Sequence, residues 1–69
     1  MRKRKNLILW RVENGLKQVD IVKKLDISSG YYSNLEKGIV NPSFSLLVKF
    51  EDIFEIDDIL ELFKLSERG

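Results

Sequence analysis

The sequence predicts an all-α fold of five short helices, on three observations. Apolar residues recur three and four apart, as in Leu47, Phe50 and Phe54, and no stretch alternates apolar and polar over a strand's length. Residues that end helices come at close intervals: Gly15, Asp26, Gly38 and Pro42. Residues 18–38, QVDIVKKLDISSGYYSNLEKG, divide into two short helices around a tight turn. The second carries small polar side chains on one face and apolar ones on the other.

Taken in order, residues 1–5, MRKRK, read as a flexible or partly helical basic arm. A first helix is expected from about Lys3 to Asn14. Leu7, Trp10, Arg11 and Asn14 share one face, and Ile8, Leu9 and Val12 add a second apolar stripe. Gly15 ends it, because glycine takes the left-handed conformation without steric cost. A second helix spans Gln18 to Leu25, with Val19 or Ile21, Val22 and Leu25 turned inward. Asp26 makes the turn, since Asp is among the few residues that tolerate positive φ. Ser28 is the natural N-cap of a third helix, Ser29 to Lys37. Tyr32 and Leu35 face the core there, while Ser29, Gly30, Ser33, Asn34 and Lys37 face outward. Gly38 caps its end. After Pro42, Ser43 caps a fourth helix from Phe44 to Phe54, with Leu47, Phe50 and Phe54 in a row and Leu46 and Ile53 adding to it. Asp57 caps a fifth helix from Asp58 to Leu65, and residues 66–69 form a fraying tail.

Bulk properties narrow the function. Sixty-nine residues make one domain, 1–69. Such a chain buries only about 60% of its unfolded surface, so stability must come from dense helix packing or oligomerisation. There is no cysteine and no histidine. That removes disulfides, thiolate metal sites, and the commonest metal ligand and general base. No metal, no cofactor and no enzymatic activity are expected. Asp57, Asp58 and Glu61 stand before an apolar run, where cap and helix-dipole roles explain them. Residues 1–24 carry a charge balance of +6 and residues 25–69 one of −5, so a polyanion would meet the N-terminal half. No apolar run approaches the roughly 20 residues of a membrane span. The run LILW is too short for the apolar region of a signal peptide. A cytoplasmic address with no membrane partner follows as the expectation.

Several short pieces, taken together and in order, resemble one family. They are Arg11, Gly15-Leu16 followed by Gln18, Asp26-Ile27-Ser28, Tyr31-Tyr32-Ser33, Leu35-Glu36-Lys37-Gly38 and Asn41-Pro42-Ser43. In sequence and spacing they are similar to the Cro/C1-type (XRE-like) helix-turn-helix proteins over Leu7 to Phe63. The resemblance implies a five-helix lambda-repressor-like domain with the motif at helices two and three. It also implies a DNA-binding transcriptional regulator, here expected to be a repressor. By the same resemblance, Ser29, Gly30, Ser33 and Asn34 would face base edges, Asn being suited to adenine. Gln18, Lys37 and Asn41 would contact phosphates, Gln18 with help from the N-terminus of its helix; apart from the resemblance, the Lys17 cation and the Tyr31 hydroxyl are further candidates for phosphate contact. For Tyr31 the alternative is a ring that covers the turn. Arg11 and Glu36 would form a salt bridge between the first and third helices.

The departures are specific. Lys17 stands where the family has a Ser or Thr cap. Val22 replaces a small alanine and Asp26 a turn glycine. Glu51 and Ile53 replace small residues of the fourth helix. Gly30 deletes a base-reading side chain and weakens its helix by up to about 1 kcal/mol relative to Ala.

Similar proteins act as two-fold dimers on pseudo-palindromic sites. The fifth helix has more apolar residues than one stripe can bury, which makes Leu60 and Leu65 the expected dimer contact. The competing outcome is that they pack on Ile8, Leu9 and Val12 within one chain. Arg2, Lys3, Arg4 and Lys5 are candidates to reach phosphate or the minor groove, as basic arms do. The partners expected are double-stranded DNA and a second copy of the chain, with no small-molecule ligand evident. The rival class is a protein-interaction or antitoxin module built on the same fold.

Overall fold

The computed structural model describes residues 2–66. Five helices follow in order: α1 Lys5–Glu13, α2 Gln18–Leu25, α3 Ser29–Lys37, α4 Phe44–Phe54 and α5 Ile59–Phe63. The described residues contain no strand. The middle three helices have the bounds that their caps dictate. The outer two are shorter than periodicity alone suggests. α1 starts only at Lys5, because the Arg4 backbone N–H is donated to Glu36 O at 2.9 Å. α5 starts after Asp58, not Asp57: the Asp58 carboxylate accepts from Glu61 N at 3.1 Å. It stops at Phe63 because Lys64 is extended and Ser66 N bonds back to Lys3 O at 2.9 Å.

Each cap satisfies backbone donors that a helix start leaves open. Ser28 accepts from Tyr31 N and Ser43 from Leu46 N. α2 has no Ser or Thr, and its third residue makes up for it: the Asp20 carboxylate accepts from Lys17 N at 2.8 Å, the reverse half of a capping box. At the C-terminal ends, Gly15, Asp26, Gly38 and Glu55 all take positive φ. Gly38 admits nothing else, since a Cβ there would run into the carbonyl of Arg2. Glu55 was not foreseen; its φ of 53° is the left-handed cap of α4. Lys49 Nζ reaches Leu25 O at 2.6 Å, a cation on the carbonyl end of α2.

The core is built from Leu7, Ile21, Leu25, Tyr32, Leu35 and Phe50, all fully buried, with Val22, Leu46, Leu62 and Phe63 around them. Trp10 packs on Phe50 and Phe54 at centroid separations of 5.3 and 5.2 Å. Phe50 meets Phe63 edge-on at 5.0 Å. α4 therefore turns further than its row of aromatics suggests: Leu46 and Phe50 are central, Leu47 and Phe54 flank them, and Ile53 is exposed. Val19 is also exposed, which settles the inward face of α2 on Ile21, Val22 and Leu25. Leu9 and Val12 stay at the surface while Ile8 is half-buried, and Leu60 is exposed, so Leu60 is not packed under this stripe.

Candidate nucleic-acid interface

α3 lies on the body through Tyr32, Leu35 and Glu36, which are buried. The opposite side is open. Ser29, Gly30 and Lys37 are exposed, and Ser33 and Asn34 are half-exposed. Among the described residues, none of the Ser29, Ser33 or Asn34 side chains has a protein hydrogen-bond partner. A Cβ on Gly30 would meet nothing within 4 Å, and its φ is not positive. No feature inside the protein requires glycine at that position.

Beneath this surface sits a buried polar cluster. Arg11 Nε is 2.6 Å from Glu36 Oε2, and Arg11 Nη2 donates to Glu36 Oε1 at 3.3 Å, a two-pronged ion pair. Arg11 Nη1 also donates to Leu16 O. The Glu36 hydrogen bond raises the Arg11 pKa above its ordinary value. Gln18 Nε2 donates to Glu36 Oε1 at 2.8 Å. One carboxylate thus ties α1, α2 and α3 together. The Tyr32 hydroxyl lies near the same pair but has no hydrogen bond of good geometry. Burial, first, and the neighbouring Glu36 push its pKa well above the ordinary tyrosine value.

The bond to Glu36 has a consequence for Gln18. One N–H of its amide is used inward; the second N–H and the carbonyl oxygen have no partner among the described residues. The donors at the start of α2 are that N–H and the backbone N–H groups, with the exposed Lys17 beside them. Asn41 is held the opposite way. Its Oδ1 accepts from Arg4 Nη2 at 3.0 Å, so its N–H2 end is the free one. Tyr31 is half-buried and lines a hollow of about 260 Å³ with Ile27, Ser43 and Lys49, between the turn and the start of α4.

Arg4 is the residue that sequence reasoning misplaced. It is not part of a free arm: it is 2% exposed. Nε donates to Phe63 O at 2.8 Å, and Nη1 to Leu35 O at 2.6 Å and Val40 O at 2.8 Å. Burial lowers its pKa from the ordinary value. The signal was present in the spacing, since Arg4, Leu7 and Arg11 stand at i, i+3 and i+7 on one face. Inside RKRK it looked like its neighbours. Arg2, Lys3 and Lys5 are exposed, but Lys3 O and Lys5 N are both bonded to Ser66. Ser66 is therefore not a fraying tail; residues 67–69 lie outside the described residues. Leu65 is half-buried, with a methyl beside Gly38.

A family model described as helix-turn-helix matches residues 7–59, more than half of the chain. The chain belongs to the Cro/C1-type helix-turn-helix family. The all-α fold of five helices is the lambda-repressor-like one, and the protein is a DNA-binding helix-turn-helix regulator of a non-enzymatic family. No curated protein and no solved structure matches it. No helix among the described residues is long and apolar enough to cross a membrane.

Proposed function

We propose that this helix-turn-helix protein reads a specific double-stranded DNA sequence by laying α3 in the major groove, and represses transcription by occupying that site. The open side of α3 carries this reading: Ser29, Gly30, Ser33 and Asn34 form a shallow polar strip without internal partners, on a helix whose other side is locked into the core. Asn34 is the residue suited to pair with a base, bidentate with adenine. The missing side chain at Gly30 lets the backbone lie close to the groove and leaves part of the specificity to DNA shape. Lys17, the N-terminus of α2, Tyr31, Lys37 and Asn41 would hold the phosphates on either side.

A second copy completes the reading. One domain of this size makes few phosphate contacts, and two-fold pairing would present two α3 helices about 34 Å apart to a pseudo-palindrome. Leu60 is 70% exposed and Phe44 81%. With Leu47, Val48 and Ile59 they line an apolar hollow of about 270 Å³ between α4 and α5. That surface supports Leu60 as a dimer contact, joined by Phe44 and Val48. Leu65, half-buried beside Gly38, does not line this hollow and would add to the contact only from its edge.

Selection of bound sequences from a random duplex pool tests the reading. The expected result is an enriched two-fold-related motif whose affinity falls steeply with added salt, bound by a species of twice the chain's mass. Absence of any enriched duplex would instead favour an interaction module docking through the apolar hollow.

A further inference from the structure

We propose that Arg4 is a positioning residue for DNA contact: it sets which end of the Asn41 amide faces outward and fixes Asn41 relative to the end of α3. This rests on the DNA reading above. Arg4 is a buried cation without a carboxylate partner among the described residues. Its charge is met instead by carbonyl oxygens: Leu35 O near the end of α3, Phe63 O at the end of α5, and Val40 O in the connecting segment. The first two carry the partial negative charge of helix C-termini. Four of its five N–H donors face the protein, in the planar fork that only arginine offers.

The fourth of these bonds matters for function. A guanidinium has only donors, so the atom of Asn41 that faces Arg4 must be Oδ1, at 3.0 Å. The amide is thereby fixed with Nδ2 as its free end on an exposed residue. A phosphate oxygen accepts from Nδ2 and is repelled by Oδ1. An asparagine free to turn its amide over would present the wrong end part of the time. The Arg4 backbone also donates to Glu36 O at 2.9 Å. One residue near the N-terminus therefore references Asn41 to α3, which carries the base-reading side chains, and to α5.

Asn41→Asp separates this role from simple stability. The carboxylate would pair with Arg4 and raise the thermal midpoint above that of Asn41→Ala, yet present no donor to phosphate. Affinity for the selected duplex should then fall at least tenfold, below that of Asn41→Ala, which loses about fivefold. A midpoint for Asn41→Asp at or below that of Asn41→Ala would overturn the Arg4–Asn41 contact whether or not the protein binds DNA. A cycle on DNA completes the test, measured at a temperature where circular dichroism shows each variant folded. Arg4→Lys keeps the charge and loses the fork. Its loss of affinity should be large in the parent chain and at most half as large, on a logarithmic scale, with Asn41→Ala present. Losses that simply multiply would mark Arg4 as structural only. A parent chain that selects no duplex would defeat the DNA reading and Arg4's part in it, leaving the midpoint comparison to decide the contact alone.

Discussion

The molecule turns two arginines inward, Arg4 buried and Arg11 half-buried, and satisfies them by two different means. Arg11 is met by a carboxylate, Glu36 Oε2 at 2.6 Å, and the hydrogen bond raises its pKa. Arg4 is met by backbone carbonyls and one amide oxygen, and burial lowers its pKa. The first cluster is mainly a side-chain network, with one bond to a backbone carbonyl at Leu16 O, and substitution can replace most of it as a unit. The second uses backbone oxygens that no substitution removes. A pair of opposite charges is stabilising only relative to a half-pair, whereas the carbonyls around Arg4 need a donor whatever the side chains are.

The largest expected effects test that difference. Glu36→Ala leaves the half-buried Arg11 without its anion and should cost about 3 kcal/mol in urea unfolding. Replacing both partners, Arg11→Met with Glu36→Leu, should recover much of that loss, because like-sized apolar groups can stand in for a buried pair. Arg4→Met should also cost about 3 kcal/mol, by stranding several carbonyl oxygens, and no second substitution near it should restore stability. Recovery by an apolar change at Asn41 would erase the distinction between the two sites.

Tyr32 gives the next effect, smaller and dependent on pH. Its buried hydroxyl lies by the Arg11–Glu36 pair without a hydrogen bond of its own. In the unfolded chain the phenol titrates at about 10; in the fold, burial raises that value. Above about pH 10 the unfolded state has lost this proton and the native state still holds it, so stability falls as pH rises. Tyr32→Phe should leave stability at pH 7 within about 1–3 kcal/mol of the parent, on the favourable side if the stranded hydroxyl is the larger cost. It should also reduce the loss above pH 10. An alkaline melting profile that is the same in both proteins would place the sensitivity elsewhere.

What was legible in the sequence divides along the same line. The middle helices could be read because their ends are written in side chains: Ser28, Ser43, Gly38 and the αL Asp26. The Arg11–Glu36 pairing could be read because opposite charges stood at positions the family resemblance marks. Arg4 could not, since its partners are backbone oxygens, which every sequence has everywhere. The same holds for the ends of α1 and α5, set by Arg4 N to Glu36 O and Ser66 N to Lys3 O. Glu55 was missed because glutamate at positive φ carries no local signature; its position follows from how α4 must end. The outward face of α3 was visible as a row of small polar residues, but the direction in which Gln18 and Asn41 turn their amides was not. That is decided by Glu36 on one side and Arg4 on the other.

The smallest effects come from residues on which neither arginine bears. Glu55→Gly and Asp26→Gly each relieve a left-handed backbone, and each should stabilise by roughly 1 kcal/mol, less the entropy that glycine returns to the unfolded chain. Gly30→Ala should stabilise α3 by up to about 1 kcal/mol, since a methyl there meets nothing within 4 Å. Gly30 is the more informative of the three. Where a substitution that helps the fold also weakens binding to the selected duplex, the glycine is kept for the groove and not for the protein. If Gly30→Ala raises the thermal midpoint and leaves affinity unchanged, α3 does not approach the bases at its first turn, and the reading strip would begin at Ser33.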